Sequence, residues 1–192
     1  GQVSRPGDIK YKDLNHDGVI DSNDQAPIGY NPVPEMTFSL AAGLNWKGID
    51  FSILLQGAAR SSIYLQQDIA WDNFWGNYYE EHIGRWTPET AATATSPRFT
   101  KAATPAHPNY YKSDYWLKDS KYLRLKNIQL GYTIPRKLLK KFGVRSLRVY
   151  ANAYNLFTWD NVKKVDPESS NNSNGQFYPQ QKVINFGINL NF

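Results

Sequence analysis

The chain has 192 residues, which is enough for one ordinary domain with a hydrophobic core. Its 22 Lys and Arg residues against 17 Asp and Glu give a formal charge of +5, and because the only basic cluster, at residues 136–141, is typical of a solvated turn, nucleic-acid binding is not indicated. The lack of Cys excludes disulfides and thiolate metal sites, and the longest nearly apolar run, at residues 51–59, is too short for a membrane helix.

Residues 13–24, DLNHDGVIDSND, have the spacing of the calcium loop of an EF-hand, with Gly18 where the loop must turn sharply. Asp24 stands where a bidentate Glu is usual, which predicts a lower affinity. No amphipathic helix flanks the loop, so we expect Ca²⁺ to stabilise a surface connection. An Asx-rich turn without metal is the alternative. The predicted Ca²⁺ ligands are Asp13, Asn15, Asp17, the Val19 carbonyl, Asp21 and Asp24.

Five segments alternate apolar and polar residues, which predicts β-strands and an all-β, antiparallel fold. The last segment shows this most clearly, with Asn and Gly on the face opposite Ile184, Phe186, Ile188, Leu190 and Phe192. The predicted strands cover residues 36–46, 49–56, 127–134, 146–154 and 184–192.

The connections between these strands differ greatly in length. Residues 47–48 and 135–144 are short turns, whereas residues 59–120 and 159–181 are long and lack a sustained period. Loops beyond about 15 residues are rare in compact soluble domains. Outer-membrane β-barrels, in contrast, alternate short periplasmic turns with long extracellular loops. The pattern favours transmembrane barrel strands, and an antiparallel sandwich with one buried face remains the alternative.

The first long connection is rich in aromatic residues. Such side chains could stack on sugar rings or on a partner protein, or they could pack the loop against itself. No nucleophile, zinc or phosphate-binding motif is present, so we expect no enzymatic activity. The candidate contact residues are Trp71, Trp75, Trp86 and Trp116.

Several segments, taken in order, resemble the SusC/RagA family of TonB-dependent outer-membrane transporters. The resemblance runs from about Gly7 to Phe192. It is carried by Gly7-Asp8-Ile9-Lys10-Tyr11 before the acidic loop, Arg85-Trp86-Thr87-Pro88-Glu89, the strand Tyr122-Leu123-Arg124-Leu125-Lys126-Asn127-Ile128-Gln129-Leu130-Gly131-Tyr132, Asn155-Leu156-Phe157-Thr158, Asp166-Pro167-Glu168 and the aromatic last strand.

The resemblance implies that the chain is the C-terminal part of a plugged barrel of about 22 strands in the outer membrane of a Gram-negative bacterium. Residues 1–35 would then be an extracellular loop with the metal motif, and residues 36–192 would supply barrel strands and extracellular loops. The family implies uptake of glycans or peptides together with a SusD-like surface lipoprotein. Coupling to the TonB complex would pass through an N-terminal part that has no counterpart here.

The resemblance also implies a role for the last strand during assembly. Barrels of this kind end on an aromatic residue that the barrel-assembly machinery reads with the apolar face before it. The expected assembly signal is Phe186, Ile188, Leu190 and Phe192. The rival to this whole interpretation is a secreted, calcium-stabilised β-sandwich that binds carbohydrate.

Overall fold

A computed structural model of the chain describes residues 4–101, 104–163, 165–169 and 178–192. These residues form two compact units. We call the first the loop unit; its described residues are 4–32, 62–118 without 102 and 103, and 169. We call the second the sheet unit; its described residues are 33–61, 119–168 without 164, and 178–192.

The predicted all-β, antiparallel fold is confirmed. In the described part of the chain the strands are β1 (Met36–Trp46), β2 (Ile49–Ala59), β3 (Ser62–Tyr64), β4 (Leu117–Asp119), β5 (Tyr122–Thr133), β6 (Ser146–Asp160) and β7 (Val183–Asn191). Five of them form one antiparallel sheet in the order β1-β2-β5-β6-β7. The short strands β3 and β4 pair separately.

Strand register places the long connections at one end of the strands and the short turns at the opposite end. We call these two rows of strand ends the two edges of the sheet. At one edge Ala58 of β2 pairs with Tyr122 of β5, and Tyr122 pairs with Asp160 of β6. At the other edge Ile49 pairs with Tyr132. The strand ends that lead into the long connections therefore share the first edge, and the short turns at residues 47–48 and 134–145 share the second.

The same register gives the sheet an apolar face and a polar face. Leu40 of β1 lies beside Leu55 of β2, and Ala151 of β6 lies beside Phe186 of β7. Lys126 is a bulge in β5, and it moves the apolar positions from odd numbers before it to even numbers after it. One face is thus apolar across all five strands, and the side chains between these positions form the polar face.

Helical structure in the described residues is limited to single turns. The α-helix α1 covers Arg136–Leu139 and runs directly into a 3₁₀ turn at Lys140–Phe142. The remaining 3₁₀ turns cover Ser22–Asp24, Gln67–Ile69, Glu80–Gly84 and Pro108–Tyr110. None of these helices has the length and apolar composition needed to cross a membrane.

Candidate functional site

The apolar face of the sheet carries exposed side chains on all five strands, although Leu125 of β5 and Ala153 of β6 are buried. Leu40 is 62% exposed, Leu44 62%, Phe186 83% and Ile188 68%. Leaving such a side chain in water instead of burying it forgoes about 1.5–3 kcal/mol. Among the described residues the five-stranded sheet is accompanied by just the two-stranded pair β3–β4, so the second sheet that a sandwich needs is missing and the sandwich alternative is wrong for this chain. The face requires apolar surroundings that the described chain does not supply.

The residues of the expected assembly signal lie on this apolar face or just beyond it. The outermost strand β7 carries Phe186, Ile188 and Leu190, and Phe192 follows that strand. All are exposed, Leu190 least at 45%. Their role as a signal for the assembly machinery stays a prediction.

On the polar face, an ion pair spans three strands near the edge with the short turns. Arg148 of β6 donates from Nε to Asp50 Oδ1 of β2 at 2.9 Å. The pair passes over Gly131 of β5, where a Cβ atom would lie 2.5 Å from both partners. The Arg148 guanidinium also lies 4.7 Å from the ring centre of Tyr150. The ring of Tyr150 in turn covers Gly187 of β7. At both positions a glycine, which has no side chain, leaves room for a side chain of the neighbouring strand.

A second charged cluster lies near the opposite edge of the sheet unit. Arg124 of β5 is 1% exposed, and its guanidinium contacts two carboxylates of the connection that follows β6. It donates to Asp166 Oδ1 at 2.8 Å and also to Glu168. Its Nε donates to Thr158 at 3.0 Å, and the Tyr122 hydroxyl donates to Glu168 at 2.6 Å. The cluster ties the connection to the polar face.

Both clusters were missed as sites by reasoning from sequence alone. The available signal was a charged residue at a polar position inside a strand, as with Arg124 between Leu123 and Leu125. The Asp166-Pro167-Glu168 motif was noted only as part of a resemblance. Pairing Arg124 with the carboxylates of this motif required the register of β5 with β6, which the sequence does not supply.

Two of the four candidate Trp residues lie in the interior of the loop unit. Trp71 is 3% exposed and Trp116 is 6% exposed. The Trp71 ring lies 4.7 Å from that of Tyr110, and Trp116 Nε1 donates to the Asn109 carbonyl at 2.7 Å. These two residues therefore form the core that a long connection needs, which is the packing role the sequence left open.

The other two candidates differ from these. Trp75 is 85% exposed, and its ring meets that of Phe74 edge-on at 6.0 Å. Trp86 is half-buried against Gly7, where a Cβ atom would lie 2.5 Å from the Trp86 ring. Trp75 is thus the most accessible of the four for a ligand or partner, and that contact stays a prediction.

A buried polar group supports the core of the loop unit. The Tyr110 hydroxyl donates to Asp72, and Asp72 also accepts from the Thr100 amide at 2.9 Å. Burial, helped by this contact with Asp72, holds the pKa of Tyr110 far above its ordinary value. His82 is also buried. Its Nδ1 accepts a hydrogen bond from the Tyr79 amide, so Nε2 carries the proton and donates to the Ala70 carbonyl at 3.1 Å. These groups are satisfied within the fold.

The acidic loop is closed by its own carboxylates. Asp13 accepts from the amides of His16 and Gly18, and Asp24 accepts from the amides of Leu14 and Asp21. The hydrogen bonds from these backbone amides lower the pKa of Asp24, and the bond from the Asp21 amide has the largest effect. Gly18 has the φ of +83° that such a turn requires.

The remaining predicted ligands, Asn15, Asp17, Val19 and Asp21, lie in the same loop and are exposed. In this conformation no group of three or more His, Asp or Glu side chains among the described residues converges as a metal site. The donor types and spacing fit calcium, but the carboxylates are turned to backbone amides. Metal binding stays a prediction.

Comparisons with known proteins indicate which group of proteins the chain resembles. No protein-family model matches the chain. TonB-dependent receptor P26 of Formosa agariphila is 29% identical over 97% of the chain, and TonB-dependent receptor SusC of Bacteroides thetaiotaomicron is 27% identical over 98%. The chain resembles the SusC/RagA group of TonB-dependent receptors. The resemblance found in its motifs is confirmed.

Solved structures show the same fold. The RagAB peptide importer in its open-open state superposes with a TM-score of 0.69 at 24% identity, over 95% of this chain and 20% of that one. The RagAB peptide transporter gives a TM-score of 0.66 over 91% of the chain. The five-stranded sheet is therefore built like part of that barrel, and it does not close by itself.

The chain spans only about a fifth of the length of its curated relatives: 20% of receptor P26 and 18% of SusC.

Proposed function

We propose that this chain is part of a TonB-dependent outer-membrane transporter that takes up nutrients, glycans or peptides, in a Gram-negative bacterium. The observation that carries the proposal is the apolar face, which carries exposed large side chains on all five strands. A barrel wall places such a face against lipid and the opposite face against its interior. Full-length relatives named TonB-dependent receptors support the same conclusion.

The polar face supports the transport role. In a closed barrel it would line the lumen. Its ion pair of Arg148 with Asp50 joins two strands, and Arg124 of β5 holds Asp166 and Glu168 of the connection after β6. Charges held this way keep their positions while a substrate or a plug moves past them. We expect the energy to come from the TonB complex, acting on a part of the protein outside this chain.

The substrate class and surface partner are inferred from relatives. One solved neighbour is described as a peptide importer, RagAB, and one relative is named SusC. A SusD-like lipoprotein would cap the extracellular end, where the long connections begin. Trp75, at 85% exposure, is the residue of the loop unit we expect to meet that partner or a substrate.

Calcium would act in the acidic loop as a structural ion. Asp13, Asn15, Asp17, the Val19 carbonyl and Asp24 would hold it, with Asp21 direct or through water. Hard cations of this kind prefer oxygen ligands in a flexible loop. Binding would require the carboxylates to exchange backbone amides for the ion, and the loop would then be more rigid above the membrane.

The test uses the full-length receptor produced in the outer membrane of a Gram-negative host. Labelled oligosaccharides and labelled peptides are offered separately to cells with and without a functional TonB complex. We expect TonB-dependent uptake of one of the two classes. Recovery of the receptor from the soluble fraction, or uptake of neither class in TonB-positive cells, would refute the proposal.

A further inference from the structure

The positive charge of the chain is concentrated at one edge of the sheet. The two short turns carry six basic residues and no acidic one: Lys47, Arg136, Lys137, Lys140, Lys141 and Arg145. Without these six, 16 basic residues face 17 acidic ones, so the rest of the chain has a formal charge of −1. The nearest acidic strand residue, Asp50, is already paired with Arg148.

The larger of these turns also exposes apolar side chains. We call residues 135–145 the basic turn. Leu139 is 6% exposed and anchors it, while Leu138 is 66% exposed and Phe142 is 76% exposed. Leu138 and Phe142 are four residues apart along one helical face, since α1 continues into the 3₁₀ turn. The five cations of the basic turn are all exposed, and none of them takes part in the ion pairs found among the described residues.

The order of side chains toward this edge matches that of a membrane interface. The apolar face comes first, then Trp46 at 59% exposure and Tyr132 at 40%, and then the cationic turns. The Lys47 ammonium lies 4.8 Å from the centre of the Trp46 ring. Aromatic residues prefer the headgroup level of a bilayer, and clustered Lys and Arg are attracted to anionic lipids beyond it.

We propose that the basic turn, with Lys47, binds the anionic headgroups of phospholipids at the membrane surface while Leu138 and Phe142 enter the acyl boundary. The proposal rests on the proposed function, since it requires the apolar face to lie in a bilayer. A lipid surface fits better than a soluble acidic protein because exposed apolar and cationic groups alternate along one short turn that continues the apolar face. The turn would fix the depth of the barrel wall in the membrane.

The experiment uses the full-length receptor in nanodiscs of phosphatidylcholine with about a third phosphatidylglycerol. Native mass spectrometry then counts the lipids of each kind that stay bound on release from the disc. We expect the receptor to retain phosphatidylglycerol preferentially. Three juxtamembrane lysines each contribute about a fivefold attraction, so Lys137→Gln/Lys140→Gln/Lys141→Gln should reduce that preference at least tenfold.

Two matched variants isolate the effect. Lys137→Arg/Lys140→Arg/Lys141→Arg keeps the charge and should keep the preference. Lys10→Gln/Lys12→Gln/Lys112→Gln removes three exposed lysines from the loop unit and should also keep it. Added salt should weaken the preference of the unmodified receptor, because ions screen exposed charges; this measurement decides the matter if the glutamine variant does not insert.

Equal retention of the two lipids by the unmodified receptor, a salt-insensitive preference, or no difference between the receptor and its glutamine variant would overturn the proposal. The cations would then serve a soluble acidic partner. Failure of the proposed function is seen separately, as a receptor that does not enter phosphatidylcholine nanodiscs at all.

Discussion

Arg148 reaches across Gly131 to pair with Asp50 two strands away, at 2.9 Å from Nε to Oδ1. The glycine is what permits the contact, since a Cβ atom at position 131 would lie 2.5 Å from the guanidinium and from the carboxylate. The pair therefore holds β2, β5 and β6 together from the polar side, beyond their backbone hydrogen bonds.

Gly131→Ala should destabilise the receptor by about 1–3 kcal/mol, because the methyl group enters space that the ion pair fills. The measurement is thermal unfolding of the full-length receptor in detergent. Gly43→Ala is the matched control: it is also a strand glycine on the polar face, but its Cβ atom would meet only the Phe51 carbonyl at 3.5 Å. A control that loses as much stability as Gly131→Ala would contradict this explanation.

Arg124→Ala should destabilise the receptor by about 3–5 kcal/mol, which is typical when one partner of a buried ion pair is removed. The variant removes the cation of Asp166 and leaves Glu168 with Lys126 at 3.8 Å, so protease should also cleave the connection after β6 faster at the exposed Lys163. Arg60→Ala removes an exposed pair with Glu35, with side chains 58% and 51% exposed, and should cost about 0–1 kcal/mol. Similar losses for the two arginine variants would refute a special role for Arg124.

The phenol of Tyr64 gives the loop unit an alkaline pH dependence. Burial raises the pKa of Tyr64 to about 12. The pKa of a tyrosine in the unfolded chain is about 10. The contribution of Tyr64 to stability is therefore complete below that pH and is lost as the pH rises toward 12. The ultraviolet difference between the full-length receptor and its Tyr64→Phe variant should titrate near pH 12. Tyr78→Phe, which removes an exposed phenol, is the comparison. A midpoint near about 10 for the Tyr64 difference would exclude the burial.

Strand positions could be predicted from the sequence because one face of each strand is apolar. The first predicted strand, residues 36–46, coincides with β1, and the last differs from β7 by one residue at each end. The second and fourth were predicted too short at their ends toward the long connections, where β2 and β6 reach Ala59 and Asp160. Alternation placed the start of β5 too late, at residue 127, because the Lys126 bulge breaks the alternation between Leu125 and Ile128, whereas the family resemblance had included the strand from Tyr122.

The core of the loop unit and the charged clusters could not be predicted in the same way. Trp71 packs on Tyr110 from the far end of the connection, whereas Trp116 packs on Tyr110 of its own segment. The connection has no period that shows which side chains point inward. Arg124 and Asp166 are 42 positions apart, and Arg148 and Asp50 are 98 positions apart. Such pairs follow from strand order, which alternation alone leaves open.

Removing the acidic side chains should abolish calcium uptake by the loop. Asp13→Ala/Asp17→Ala deletes two predicted ligands, and calorimetric titration of the full-length receptor with Ca²⁺ should then show one equivalent fewer than the unmodified receptor. Glu89→Ala/Asp114→Ala, which removes two exposed carboxylates elsewhere in the loop unit, should leave the uptake unchanged. Equal uptake by the unmodified receptor and the Asp13/Asp17 variant would show that the loop is an Asx-rich turn closed by its own amides.

The two edges of the sheet should lie on opposite sides of the outer membrane. Antiparallel strands bring the long connections to one edge and the short turns to the other, so a sheet that spans the membrane separates them. The chain contains no Cys, so a single Lys112→Cys or Lys140→Cys introduces one thiol into this part of the receptor, with the unmodified receptor as the background control. A membrane-impermeant maleimide should label Lys112→Cys on intact cells and should label Lys140→Cys only after the outer membrane is permeabilised. Labelling of Lys140→Cys on intact cells, with Lys112→Cys protected, would reverse the topology and place the basic turn outside.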